Sequence, residues 1–76
     1  MTSFIARRNA RGNVTLYAGH TRFGTIFLRG NGTISGAAFV DDDVATCFRG
    51  LRGMPVDTVP EALARARRAY ELASHE

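Results

Sequence analysis

Apolar and polar positions alternate with a period of two in four stretches of the chain, about Ser3 to Arg8, Asn13 to Ala18, Arg22 to Arg29 and Thr33 to Val40. β-Branched and aromatic residues concentrate in these stretches and turn-forming residues separate them, which is the pattern of half-buried strands. The separators are short: Asn9-Ala10-Arg11-Gly12, Gly19-His20 and Gly30-Asn31-Gly32. Parallel neighbours need a crossover of about a dozen residues or more, so these connections predict an antiparallel meander of three or four strands. Asn31-Gly32 reads as a type I′ hairpin turn, whose two central residues both need positive φ.

Strict alternation assigns the faces of this sheet. Val14, Leu16 and Ala18, with Ile26, Leu28, Ile34, Ala38 and Val40, form an apolar face that needs a cover. Thr15, Tyr17, Phe23, Thr25, Phe27, Arg29, Ser35 and Phe39 fall on the other face, a mixture of rings, hydroxyls and basic groups. Beyond the strands, Asp41-Asp42-Asp43 precedes Val44, Cys47 and Phe48 at helical spacing, with Gly50 as a stop, which predicts a short helix near 42–49. A fifth strand over Ala45 to Phe48 is the other reading of that segment. Residues 50–57, with Gly53 and Pro55, read as an irregular loop.

Thr58-Val59-Pro60-Glu61 has the form of a capping box and predicts a helix to about Ser74. Val59, Ala62, Leu63, Ala66, Ala69, Tyr70 and Ala73 share one side of it and supply the cover for the sheet. Glu61 and Arg65 stand at the spacing of a helical ion pair, and Arg65, Arg67 and Arg68 are expected to point sideways or outward. The expected fold is therefore a single α+β domain over residues 1–76: an antiparallel meander, a short helix, and a C-terminal amphipathic helix on one sheet face.

Composition narrows the function. A chain of 76 residues buries only about 60% of its unfolded surface, so its core is thin and a homodimer or a docked partner would help to complete it. Apolar residues make up 45%, a globular proportion, and no run approaches the roughly 18 apolar residues of a membrane span. Met1 to Arg8 lacks the pattern of a signal peptide, and Cys47 is the one cysteine, so a reducing cytoplasm is the expected compartment. All ten basic residues are arginine and the formal charge is +3. Genome composition accounts most simply for the absence of lysine, although arginine is also the better residue for forked phosphate contacts.

Nothing marks a catalytic centre. Nucleophilic catalysis needs a nucleophile beside an oriented base, whereas Cys47 lies at an apolar helical spacing, His20 in a turn and His75 near the end. Asp41 to Asp43 lack the alternate spacing, glycine and distal glutamate of a calcium loop. Gly50-Leu51-Arg52-Gly53 lacks the lysine of a phosphate loop. No enzyme activity, cofactor or metal is expected, and function falls to the mixed sheet face. Its candidate binding residues are Tyr17, Phe23, Phe27 and Phe39 with Arg7, Arg8, Arg11, Arg22 and Arg29. Exposed rings on a sheet stack bases while arginines contact phosphate, and sheets backed by a helix also enter the DNA major groove. The same rings could instead form a second core layer or a dimer face.

Two resemblances bear on the partner. The sheet-plus-helix pattern is similar to the arm-binding domains of phage integrases. Gly50-Leu51-Arg52-Gly53 followed by Thr58-Val59-Pro60-Glu61-Ala62-Leu63 and the helix to Leu72 resembles HicB-type antitoxins, in which a Gly-Leu-x-Gly turn leads into a Thr-x-x-Glu-Ala-Leu helix. The spacing from glycine to capping threonine is shorter than in that family, and the N-terminal half carries an additional hairpin. The resemblance implies a small domain that masks a ribonuclease partner. With the size and the missing catalytic groups, it leads to the first expected function: an inhibitor or antitoxin-like factor of phage or mobile-element type, anti-CRISPR-like, that covers a nucleic-acid-processing protein. The alternative is a small DNA- or RNA-binding protein using the aromatic and arginine-bearing sheet face.

Overall fold

A computed structural model of the chain describes residues 3–74. Four strands form one antiparallel sheet in the order of the chain: β1 (Phe4–Arg8), β2 (Val14–Ala18), β3 (Thr21–Leu28) and β4 (Ile34–Phe39). Two helices follow, α1 (Asp42–Gly50) and α2 (Val59–Ser74). The sequence expectation of a meander closed by a C-terminal helix holds, and the segment 44–50 is helix rather than a fifth strand.

The two outer hairpins are built alike. In each, a three-residue loop ends on a glycine with positive φ, Gly12 (82°) and Gly32 (85°). Gly12 N–H donates to Asn9 O and Gly32 N–H to Arg29 O. That is a type I turn closed by a left-handed residue, and the type I′ turn expected at Asn31-Gly32 is absent because Asn31 keeps a negative φ. The Asn9 side-chain oxygen further accepts from Arg11 N–H (3.0 Å) and Asn13 N–H (3.1 Å), so one asparagine organises the first loop. Gly19-His20 forms the two-residue turn between β2 and β3, with Gly19 alone at positive φ (63°).

Two bulges change the face assignment. Leu16 pairs with Gly24 but Tyr17 pairs with Arg22, which leaves Phe23 as an extra residue in β3. Phe27 pairs with Gly36 but Leu28 pairs with Ile34, which leaves Ser35 extra in β4. An extra residue inverts the alternation on one side of it. Phe23 is thereby turned to the covered side, where it is 5% exposed, and Phe39 with Ala37 joins it. Ala38 and Val40, expected on the apolar face, lie instead on the open one, where Val40 is 68% exposed.

The core consists of Val14, Leu16, Ala18, Phe23, Ile26, Val44, Ala62, Ala66 and Ala69. Four of these are alanine, three of them on α2, so that helix approaches closely while each residue buries little area, and the core is as thin as the length implies. A chain of rings thickens it. Phe4 meets Phe23 and Tyr70 edge-on at 6.1 and 5.5 Å, Phe23 lies 4.8 Å from Tyr70, and Phe39 lies 4.9 Å from Phe48. Four of the five phenylalanines belong to this cluster, and Phe27 does not.

Both helix starts follow the sequence. Asp41 caps α1, its carboxylate accepting from Asp43 N–H at 2.8 Å. At α2 the Glu61 N–H donates to Thr58 Oγ1 (3.3 Å) and Thr58 N–H to the Glu61 carboxylate (3.0 Å), a complete capping box. That commitment removes the expected pair between Glu61 and Arg65. Arg65 crosses to the end of α1 instead, donating to the carbonyls of Phe48 (2.7 Å), Met54 (3.0 Å) and Arg49 (3.3 Å) with its guanidinium 4.7 Å over the Phe48 ring. The last carbonyls of a helix lack intrahelical partners and carry the negative end of its dipole, which is where a forked cation is most useful. Arg67 pairs with Glu71 at 4.0 Å on the exposed side.

Candidate functional site

With α1 and α2 on one side of the sheet, the other side is bare. Register fixes its membership: Ile5 and Arg7 from β1, Thr15 and Tyr17 from β2, Arg22, Thr25 and Phe27 from β3, Gly36 and Ala38 from β4. Arg29, two residues beyond Phe27, continues the same side. Of the candidate residues, Tyr17, Phe27, Arg7, Arg22 and Arg29 therefore come together. Phe23 and Phe39 do not, being part of the core, while Arg8 projects from the covered side of β1 and Arg11 sits in the first hairpin.

Ile5, Tyr17, Thr15, Thr25 and Phe27 form a diagonal across the face. Ile5 is opposite Tyr17, and Thr15 is opposite Thr25. Tyr17 and Phe27 stand four register steps apart along antiparallel neighbours, about 13 Å at the usual rise of a strand. The two threonines between them keep the middle flat. Thr15 is only 9% exposed and its hydroxyl accepts from the Asn9 side-chain amide at 3.3 Å, which ties the first hairpin to the face. Ile5 (41% exposed) and Phe27 (38%) leave much of their apolar surface in water.

Two shallow depressions flank the Tyr17–Arg22 row. One, about 200 Å³, is lined by Ile5, Arg7, Tyr17, Gly19 and His20. The other, about 180 Å³, is lined by Arg22, Gly24, Thr25, Ala38, Phe39 and Val40. Both lie on one surface, each with an arginine at its rim.

Charge is segregated along the chain. Residues 1–40 contain five arginines and no carboxylate, a net of +5, whereas residues 41–76 contain five arginines against seven carboxylates, a net of −2. Because the sheet is built wholly from the first part, Arg7, Arg22 and Arg29 face solvent without an acidic partner among the described residues. Asp42, Asp43, Glu61 and Glu71 lie in the helices, and Asp57 lies in the loop between them. An anion approaching the bare face meets Arg7 and Arg22 beside apolar and hydroxyl groups, while at the Arg29 end Asp57 of the 51–58 loop lines the same depression as Arg29 and Gly36.

Among the described residues no three His, Cys, Asp or Glu side chains converge on a point that could hold a metal ion. Cys47 is half-buried against the core, His20 occupies the β2–β3 turn, and His75 lies outside the described residues. No helix of the structure is long and apolar enough to cross a membrane. No protein-family profile matches the chain, and no curated protein or solved structure matches it.

Proposed function

We propose that this chain is a non-catalytic binding protein whose bare sheet face takes single-stranded nucleic acid. The observation that carries the reading is the coincidence, on one surface, of two partly exposed rings with three arginines, none of them in an ion pair among the described residues. Single strands offer unstacked bases to flat aromatic surfaces and a phosphate at every step to cations, and such contacts need no sequence code. Tyr17 and Phe27 are the stacking residues, Arg7, Arg22 and Arg29 the phosphate contacts, and Thr15 and Thr25 the flat ground between. A cytoplasmic location goes with this reading, since the ligand is there and the single thiol suits a reducing compartment.

The test is fluorescence anisotropy with a labelled single strand and the same strand as a duplex, at low and physiological salt. The reading expects single-strand binding that weakens as salt rises, with a log–log slope reduced by about 0.7 for each phosphate-contacting arginine removed. Arg22→Ala and Arg29→Ala that change neither affinity nor slope would remove the proposal.

A second reading has its own support. Residues 50–72 resemble HicB-type antitoxins, and the Ile5–Tyr17–Phe27 diagonal is an apolar surface of the kind that protein contacts use. An inhibitor or antitoxin-like factor, anti-CRISPR-like in type, would cover its nucleic-acid-processing partner with this diagonal. It takes second place because the withdrawal of Phe23 and Phe39 into the core leaves the face only two rings, against three arginines. Phe27→Ala would then abolish a complex with the protein partner, at a cost of about 2 kcal/mol or more, with little dependence on salt.

A further inference from the structure

The edge of the sheet at β1 is a second surface, which shares Arg7 with the bare face but is otherwise built from the other side of the strand. Asn9 N–H donates to Asn13 O at 2.8 Å and Gly19 N–H to Ser3 O at 2.7 Å. Those two bonds set the phase of the ladder: residues 5 and 7 exchange hydrogen bonds with β2, and the backbone groups of Phe4, Ala6 and Arg8 point away from the sheet. Among the described residues nothing pairs with these three N–H and three C=O groups, which leaves them available to another strand.

Beneath this edge lies a cleft of about 230 Å³ between the strand and α2. It exists because Ala6 is small where its neighbours on the covered side, Phe4 and Arg8, are large. Ala6 and Leu63 form its sides and Leu16 with Phe23 its apolar floor. An enclosed apolar space of about 150 Å³ suffices for a benzene ring, so the notch has room for one large apolar side chain. Arg67 of the helix lines it, 5.0 Å over the Phe4 ring and 4.0 Å from Glu71, while along the strand Arg8 follows on the covered side and Arg7 on the bare one.

We infer that β1 accepts an extended acidic peptide segment of a partner protein, added antiparallel as a fifth strand with one apolar side chain in the notch over Ala6. Strand addition draws affinity from main-chain hydrogen bonds and specificity from alternate side chains. Opposite Arg8, Arg7 and Ala6 in that order, the peptide reads acidic, acidic, apolar, and two residues further, opposite Phe4, a third acid meets Arg67. The same charges disfavour a second copy of this chain as the occupant. Centred on Ala6, a self-paired β1 would set Arg8 of one copy beside Phe4 of the other, under Arg67, bringing two cations together.

The experiment uses the whole protein and capped synthetic peptides containing Glu-Glu-Leu-Thr-Glu, the same peptide with lysine for each glutamate, and one with serine for leucine, each read by fluorescence anisotropy. The acidic peptide binds, and the charge-reversed and serine forms bind at least about ten-fold more weakly, the loss of one or two good contacts. Ala6→Pro removes an outward N–H while sparing every bond to β2, and lowers peptide affinity by a similar factor. Ala6→Trp fills the notch and does the same. Both variants keep the wild-type circular dichroism spectrum and wild-type binding to a single-stranded oligonucleotide, so failure here is separate from failure at the bare face. Equal binding of acidic and basic peptides, binding of none, or a concentration-dependent dimer in sedimentation equilibrium that Ala6→Pro abolishes would each overturn the inference.

Discussion

Phe23 and Phe27 are four residues apart in one strand, and a strict period of two puts them on the same face. The bulge separates them, and the separation has an energetic consequence that can be measured. Phe23 is 5% exposed and meets the rings of Phe4, Phe39 and Tyr70, so Phe23→Ala removes a buried ring and leaves a cavity that three neighbours must share. Such a change costs about 3–5 kcal/mol. Phe27 is 38% exposed, belongs to no ring pair among the described residues, and opens no enclosed cavity when truncated. Full burial of such a side chain is worth about 1.5–3 kcal/mol, and the fraction buried here reduces Phe27→Ala to about 1–2 kcal/mol. A domain of this size has about 3–5 kcal/mol in all. Phe23→Ala should therefore be largely unfolded at 25 °C while Phe27→Ala stays folded. Urea unfolding followed by circular dichroism gives the comparison, with Phe23→Leu, expected to lose about 1–2 kcal/mol, supplying a measurable transition. If Phe27→Ala lowers the midpoint as much as Phe23→Ala, the bulge and the face assignment built on it are wrong.

Other outcomes follow from single contacts. Arg65→Ala should destabilise by about 1–2 kcal/mol, a value reduced for partial exposure, and Arg65→Lys should not restore it, because one ammonium cannot reach the Phe48, Met54 and Arg49 carbonyls together; thermal unfolding checks both. Gly24→Ala places a Cβ 2.6 Å from Phe39 Cδ1 and 3.0 Å from Ala38 O, and should cost about 1–3 kcal/mol in urea unfolding. Gly36→Ala, in the next strand with open space at its Cβ, should cost less than 1 kcal/mol, a small loss or gain set by strand propensity. Thr58→Ala breaks the capping box and should lose about 1 kcal/mol, seen as a lower melting temperature with the helix signal retained below it.

Much of the fold was legible because its signals are local. Strand existence follows from alternation bounded by glycine and asparagine, and the start of α2 from Thr58 and Glu61. The buried stripe Ala62, Ala66 and Ala69 follows from helical period alone. The face assignment was not, because it depends on counting, and one extra residue defeats a count. Phe23 and Ser35 each insert one. The available signal was glycine inside a strand: Gly24 and Gly36 each adjoin a bulged residue, and strand-interior glycine marks a bulge or a close approach. At Gly24 the approach is that of the Phe39 ring. Arg65 escaped for a different reason. Its spacing from Glu61 fits an ion pair, but the same carboxylate serves the cap, and the competing carbonyls at the end of α1 are brought in by tertiary packing that no spacing rule sees. Of the candidate site, the five residues Tyr17, Phe27, Arg7, Arg22 and Arg29 share the bare face, whereas Phe23, Phe39, Arg8 and Arg11 do not.

The central claim, that the bare sheet face is the binding surface for single-stranded nucleic acid, is tested most directly by amide chemical-shift perturbation of the isotope-labelled protein titrated with a short single strand. The account predicts shifts confined to the face, at Ile5, Arg7, Thr15, Tyr17, Arg22, Thr25, Phe27 and Arg29, with α1 and α2 unmoved. Shifts concentrated on the helices, or a spectrum unchanged at saturating oligonucleotide and low salt, would contradict it.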